Sequence, residues 1–214
     1  MGYCLIPEAR DLLDLSTDDI SDEELQDLIN KATQIIIEEL TIPVRDEEPT
    51  GSIDGVNCSF SVSHYPIADT DGDKVVSTSD VTLYTWTDEN DPSTKTSVSL
   101  STIHPREGII VTSSPPSSSI EKITVDYSYT WEEALNWELI KLACIFLVGY
   151  LFAIKKFTIL PLAITRGPIR FRHYTEPANK YLEKYRQIMS LIKSKEHVKK
   201  TANEMTLART PMER

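Results

Sequence analysis

The sequence predicts an α+β protein: a small helical bundle carrying an inserted antiparallel β-sandwich or barrel module. Three observations carry that expectation. Apolar residues recur at helical spacing over residues 1–45, at strand spacing over 46–130, and at helical spacing again over 131–200. The expected organisation is a discontinuous helical domain (1–45 with 131–200), an inserted β-module (46–130) and an extended C-terminal tail (201–214). Each helical half alone is too short for a robust core, and an insert is accommodated when its two ends lie close together.

In the first half, Pro7 suits a first helical turn, and Ala9, Leu12, Leu13 and Leu15 follow at helical intervals. The stretch "STDDISDEE" breaks the pattern. Ser21 and Glu24 have the spacing of a capping box, in which the hydroxyl accepts from an orphan amide and the glutamate reaches back. From there Leu25, Leu28, Ile29, Ala32, Ile35, Ile36 and Leu40 form one apolar face. Pro43 and the acidic "RDEEP" are expected to end the helix.

Residues 51–130 are rich in Ser, Thr, Asp and Pro. Short alternating runs recur at Cys58, Phe60 and Val62; at Val81 and Leu83; at Val98 and Leu100; and at Ile123, Val125, Tyr127 and Tyr129. Turn clusters ("DTDGD", "DENDPS", "HPREG", "SSPPSSS") separate them. At least five or six short strands are expected, in a sandwich or small barrel.

The helical pattern returns at "TWEEALNWELIKLACIFLVGYLFAIKKF", where Thr130 and Glu133 have the spacing of a second capping box. Residues 142–154 are an apolar run of thirteen between Lys141 and Lys155–Lys156. A bilayer span needs about 20 such residues, so a buried helix is expected and no membrane partner. "ILPLAITRGPIRFRHYTEP" reads as an irregular connection. A last helix, about 177–200, should turn Tyr181, Tyr185, Ile188, Leu191 and Ile192 inward.

Charge is polarised along the chain. Residues 1–154 hold 8 Lys and Arg against 28 Asp and Glu, a net −20, while residues 155–214 hold 14 against 5, a net +9. That favours head-to-tail self-association, or a basic end facing an acidic partner or nucleic acid. Cys4, Cys58 and Cys144 are far apart in sequence and form no CxxC pair, so reduced thiols and no zinc site are expected. The opening "MGYCLIPEARDLLDL" lacks a basic region followed by a long apolar one, so a secretory signal is not expected. Ile6 stands where a myristoylation signal needs Ser or Thr.

One stretch has metal-ligand spacing. In "DTDGDKVVSTSD" Asp69, Asp71, Asp73 and Asp80 fall at positions 1, 3, 5 and 12 of a calcium loop, with the Val75 carbonyl at 7 and Ser77 at 9. Calcium suits such a set because a hard cation takes six to eight oxygens. Against it, position 6 is Lys74 instead of glycine, and the following "VTLYTW" reads as a strand. The competing reading is an Asp/Gly turn whose carboxylates cap backbone amides. No cofactor is required on this reading, and calcium is the one candidate ion. His64, His104, His173 and His197 are scattered, with no nucleophile motif or phosphate loop beside them, so an enzyme is not expected. Arg166, Arg170, Arg172 and His173, interleaved with Phe171 and Tyr174, suit a protein interface or contact with phosphate and bases.

The helical stretches "ARDLLDLSTDDISDEELQDLINKATQIIIEEL" and "WELIKLACIFLVGYLFAIKK" resemble the head–tail connector (adaptor) proteins of tailed viruses. The likeness falls on Ser21, Asp22, Leu25, Ile29, Ala32 and Ile36, then on Ile140, Ala143, Leu147, Val148 and Tyr150, and covers roughly 90 residues. The long β-insert departs from the compact members of that family. The resemblance implies a structural virion protein at the neck, assembled in the host cytoplasm. Such proteins form a homo-oligomeric ring, commonly dodecameric, between the portal and a tail or stopper protein, with DNA passing through the lumen without sequence readout. The competing expectation is a calcium-binding β-module of a surface or membrane-associated protein.

Overall fold

A computed structural model describes residues 2–159 and 172–207, with side chains described for 2–156 and 177–194. The fold is α+β, as the sequence predicts; among the described residues it has four helices, two antiparallel sheets and no closed barrel. The chain divides into two compact units, residues 1–36 with 133–214, and residues 37–132.

The helical unit contains α1 (Ile6–Leu13), most of α2 (Asp22–Leu40), α3 (Trp137–Ile159) and α4 (Arg172–Leu207). At the start of α1 the Glu8 carboxylate accepts from the Leu5 amide at 2.8 Å. The helix closes at Asp14 in the left-handed region, φ 53°. Ser21 does cap α2: its Oγ accepts from the Glu24 amide at 3.2 Å. The link between α1 and α2 is tied by Arg10, whose guanidinium donates to the carbonyls of Leu15, Ser16 and Ile20 and pairs with Asp22 at 2.6 Å. Leu25, Ile29, Ala32 and Ile36 of α2 are fully buried, as are Ala143, Cys144 and Val148 of α3 and Ile192 of α4. Gly149 of α3 has close neighbours. A Cβ there would lie 2.8 Å from Leu13 and 3.1 Å from the Tyr181 ring.

Thr130 does not open α3. Its buried hydroxyl has no hydrogen-bond partner among the described residues, a single 3₁₀ turn (Glu132–Leu135) intervenes, and the Asn136 carbonyl accepts the first α3 bonds from Leu139 and Ile140. Within α3, Trp137–Lys156 is a 20-residue stretch long and apolar enough by length and composition to cross a bilayer, and 44 % of its apolar window is buried. The thirteen-residue run of the sequence is thus lengthened by Trp137, Leu139 and Ile140. Helix α4 begins before Pro177, because a proline ring removes only one i→i−4 bond and here does so near the helix end. It continues through Leu207, into the segment expected to be an extended tail. Ala202, Glu204, Met205 and Leu207 are strong helix formers even though that segment has few core formers.

The β unit has seven strands: β1 (Ile42–Glu47), β2 (Ser59–Ser61), β3 (Thr82–Trp86), β4 (Lys95–Val98), β5 (Leu100–His104), β6 (Ile109–Thr112) and β7 (Lys122–Tyr129). One sheet runs β1-β7-β3-β4 and the other β2-β6-β5. Their inner faces share one core, with Phe60 and Ile110 from the second sheet meeting Leu83, Ile123, Val125 and Tyr127 from the first. Val98 and Leu100 do not share a strand as their alternation implied. The chain changes sheets at Ser99, so Val98 pairs with Leu83 and Leu100 with Thr112. Residues 42–45 of strand β1 lie in the segment assigned to the helical domain, while Asp46 and Glu47 fall in the expected β-module. Pro43 is accommodated there because β1 is an edge strand.

Candidate functional site

The acidic loop lies between β2 and β3, where the sequence placed it. Asp69 and Asp80 are both buried. Each acts as a staple for the loop backbone. Asp69 Oδ1 accepts from the amides of Asp71 (3.2 Å) and Gly72 (2.8 Å), and its Oδ2 from Lys74 (2.9 Å). Asp80 Oδ1 accepts from the Thr70 amide and hydroxyl, both at 2.7 Å, and its Oδ2 from the Ser77 amide at 2.9 Å. Asp71 and Asp73 each accept from the amide two residues on, at 3.0 and 2.8 Å. Gly72 and Lys74 both adopt positive φ, 76° and 74°. Lysine therefore takes the left-handed conformation that glycine supplies at that position of a calcium loop, at a steric cost.

Ligand oxygens from Asp69, Asp71 and Asp73 lie within 4.8 Å of one another. Asp80 is not part of that group, its two oxygens being directed to Thr70 and Ser77. Val75 is exposed and its amide donates to Asp73. Burial pushes the Asp69 carboxyl above the ordinary aspartate range, the Gly72 and Lys74 amides pull it back in part, and the charges of Asp80 and Asp71 add to the rise. A carboxylate offers about four lone-pair sites, so the inward amides leave room for a cation on the same oxygens. The arrangement can hold a hard cation through three carboxylates, and without one it is a turn held by its own amides.

A second constellation has no counterpart in the sequence reading. Between Val44 and Glu47 strand β1 carries one residue more than β7 opposite, with Asp46 at φ 52°. Strict alternation from Val44 would turn Glu47 outward. The bulge instead places it opposite Val125, on the inward register. There Glu47 Oε2 accepts from the Tyr127 hydroxyl at 2.7 Å and Oε1 from the Ser63 amide at 2.6 Å. His64 Nδ1 lies 3.6 Å from Oε2, and its ring stacks on Tyr129 at 4.9 Å between centroids. Burial raises the Glu47 pKa, but hydrogen bonds from Tyr127 and Ser63 outweigh it and hold the carboxyl below its ordinary range. Burial, and then the bond to Glu47, push the Tyr127 hydroxyl up, so it stays a donor at all physiological pH. Residues 47, 64 and 127 share no spacing that a sequence scan would detect.

Of the basic segment, Arg166 and Arg170 lie outside the described residues. Arg172, His173 and Tyr174 fall in the first turn of α4 instead of an irregular loop. No protein-family model matches the chain, and no curated protein matches it.

Proposed function

We propose that the chain is a structural virion protein, a subunit of a head–tail connector ring joining a portal to a tail or stopper protein. One observation supports this reading above the others. The helices that carry the resemblance, α2 and α3, belong to one compact unit although the β unit separates them in sequence. In this reading the β unit is an insertion with its own core. Helix α3 then serves as a core helix, with Lys184 of α4 seated 4.9 Å over the Phe146 ring. The polarised charge suits lateral packing of acidic and basic ends of neighbouring copies. Native mass spectrometry and electron cryo-microscopy of the full chain with its portal test the proposal. The expected result is a closed ring, and monomers alone in the presence of portal would sink it.

A second reading, a calcium-binding β-module, is favoured by the three carboxylates within 4.8 Å. Calcium then stiffens the turn and supplies no chemistry. Calorimetric titration of folded protein, with Asp71→Ala as control, decides it. Absence of calcium heat from the wild-type chain disposes of the site.

A further inference from the structure

Residues 2–5 precede α1 without regular structure, yet Gly2, Tyr3 and Cys4 are buried within the helical unit. A Cβ on Gly2 would lie 2.5 Å from Ile29, and the Tyr3 amide donates to Thr33 Oγ1 at 3.0 Å. The Tyr3 ring stacks on Trp137 at 6.3 Å between centroids. This places Cys4 against the N-terminal half of α3. Its Sγ lies 3.5 Å from Cys144 Sγ, both residues are buried, and Thr33 Oγ1 is 3.8 Å from the same Cys144 sulfur. Two thiols 140 positions apart in sequence are thus in contact in space. Cys58 belongs to the β unit.

The geometry points to a covalent modification site: Cys4 and Cys144 form an intramolecular disulfide that staples the N-terminal segment to α3 under oxidising conditions. The contact already has the correct partners, and an S–S bond of about 2.05 Å requires the sulfurs to close by roughly 1.5 Å. Rotation about χ1 supplies that movement most readily at Cys4, which lies outside any helix or strand. The oxidant is a small peroxide. It converts one thiol to a sulfenic acid with release of water, and the second thiolate attacks that sulfur and expels a second water. Both thiols together lose two electrons and two hydrogens, and the peroxide is reduced to water. Access comes through local opening of residues 2–5, which lie outside any helix or strand. The bond closes a loop carrying α1, α2 and the whole β unit, which restricts the unfolded chain more than the folded one.

The full chain is treated with stoichiometric hydrogen peroxide, quenched, alkylated under denaturing conditions without reductant, and mapped by mass spectrometry. The expected product is a cross-linked peptide pair joining Cys4 to Cys144, with Cys58 alkylated. The Cys58→Ser variant should give the same cross-link and Cys144→Ser none. Oxidation should raise the melting temperature of the Cys58→Ser chain by roughly 5–15 °C, reversed by reductant. Recovery of Cys4 and Cys144 as separate alkylated or sulfinic residues would overturn the proposal, as would a disulfide that uses Cys58 in preference. The mapping is made on wild-type and Cys58→Ser protein, so the proposal stays testable if Cys144→Ser does not fold.

Discussion

Tyr127→Phe removes one oxygen and leaves a buried ring where it was. The lost hydroxyl donates to Glu47 at 2.7 Å and accepts from the His64 amide at 3.2 Å. A hydrogen bond to an ionised, partly buried acceptor contributes about 1.5–3 kcal/mol, and the orphaned amide adds up to about 1 kcal/mol. The expected loss at pH 7 is therefore about 2–4 kcal/mol. Its pH dependence has a definite sign. Glu47 has a folded pKa below its unfolded value, so the contribution is present above the unfolded pKa and is lost as pH falls through the folded one. The variant's deficit should accordingly shrink in acid. Urea unfolding of wild type, Tyr127→Phe, Glu47→Gln and the double variant, at pH 7 and near pH 3, measures the deficit and the coupling together. A deficit under about 0.5 kcal/mol at pH 7, or one that grows in acid, would refute the assignment of Glu47 as a charged acceptor.

Further expectations concern the loop and the helical unit. Asp69→Asn should destabilise the β unit by about 1–3 kcal/mol in the absence of any cation, because Asp69 accepts three backbone amides. Asp73→Asn, on an exposed carboxylate, should cost under about 0.5 kcal/mol. Equal effects in denaturant titration would contradict the view of Asp69 as a structural staple. Arg10→Ala leaves three carbonyls without their donor and should cost about 1–3 kcal/mol, read as a lowered denaturation midpoint. Gly149→Leu drives a side chain toward Leu13 and Tyr181 and should cost about 1–3 kcal/mol or more, despite leucine's better helix propensity. Thr130→Val should be neutral or slightly stabilising by the same measurement, since its hydroxyl makes no hydrogen bond among the described residues.

Local features were legible where a local rule decides them. The Ser21 cap is read from a serine three residues before a glutamate, because the bond it makes closes within one helical turn. The apolar face of α2, all but the exposed Ile35, and the β7 alternation at Ile123, Val125, Tyr127 and Tyr129 follow from the two side-chain periods; the first three β7 residues are buried and Tyr129 is half-buried. The acidic loop was legible as a joint between strands, and its aspartates do cap nearby amides. Pro43 was expected to end the helix, and α2 does end before it, at Leu40. Readings that failed include the Thr130 cap, the shared strand of Val98 and Leu100, the place of Asp80 in the metal group, the inward turn of Leu191, which is exposed, and the extended tail. The Thr130 cap failed because the helix starts seven residues later, at Trp137. Val98 and Leu100 part company because the chain changes sheets between them.

By itself the sequence determined the class of the two helical stretches and of the β stretch between them, since periodicity is a property of residues a few positions apart. It did not determine residues 201–207, which continue α4. It determined too that a helical pattern is interrupted by a β pattern and then resumes. Only the tertiary structure decided that a one-residue bulge turns Glu47 onto Tyr127, and that Cys4 meets Cys144. Both are meetings of side chains at least 80 positions apart. Such encounters are set by strand register and helix packing, which sum many weak contacts over the whole unit, and no local spacing encodes them.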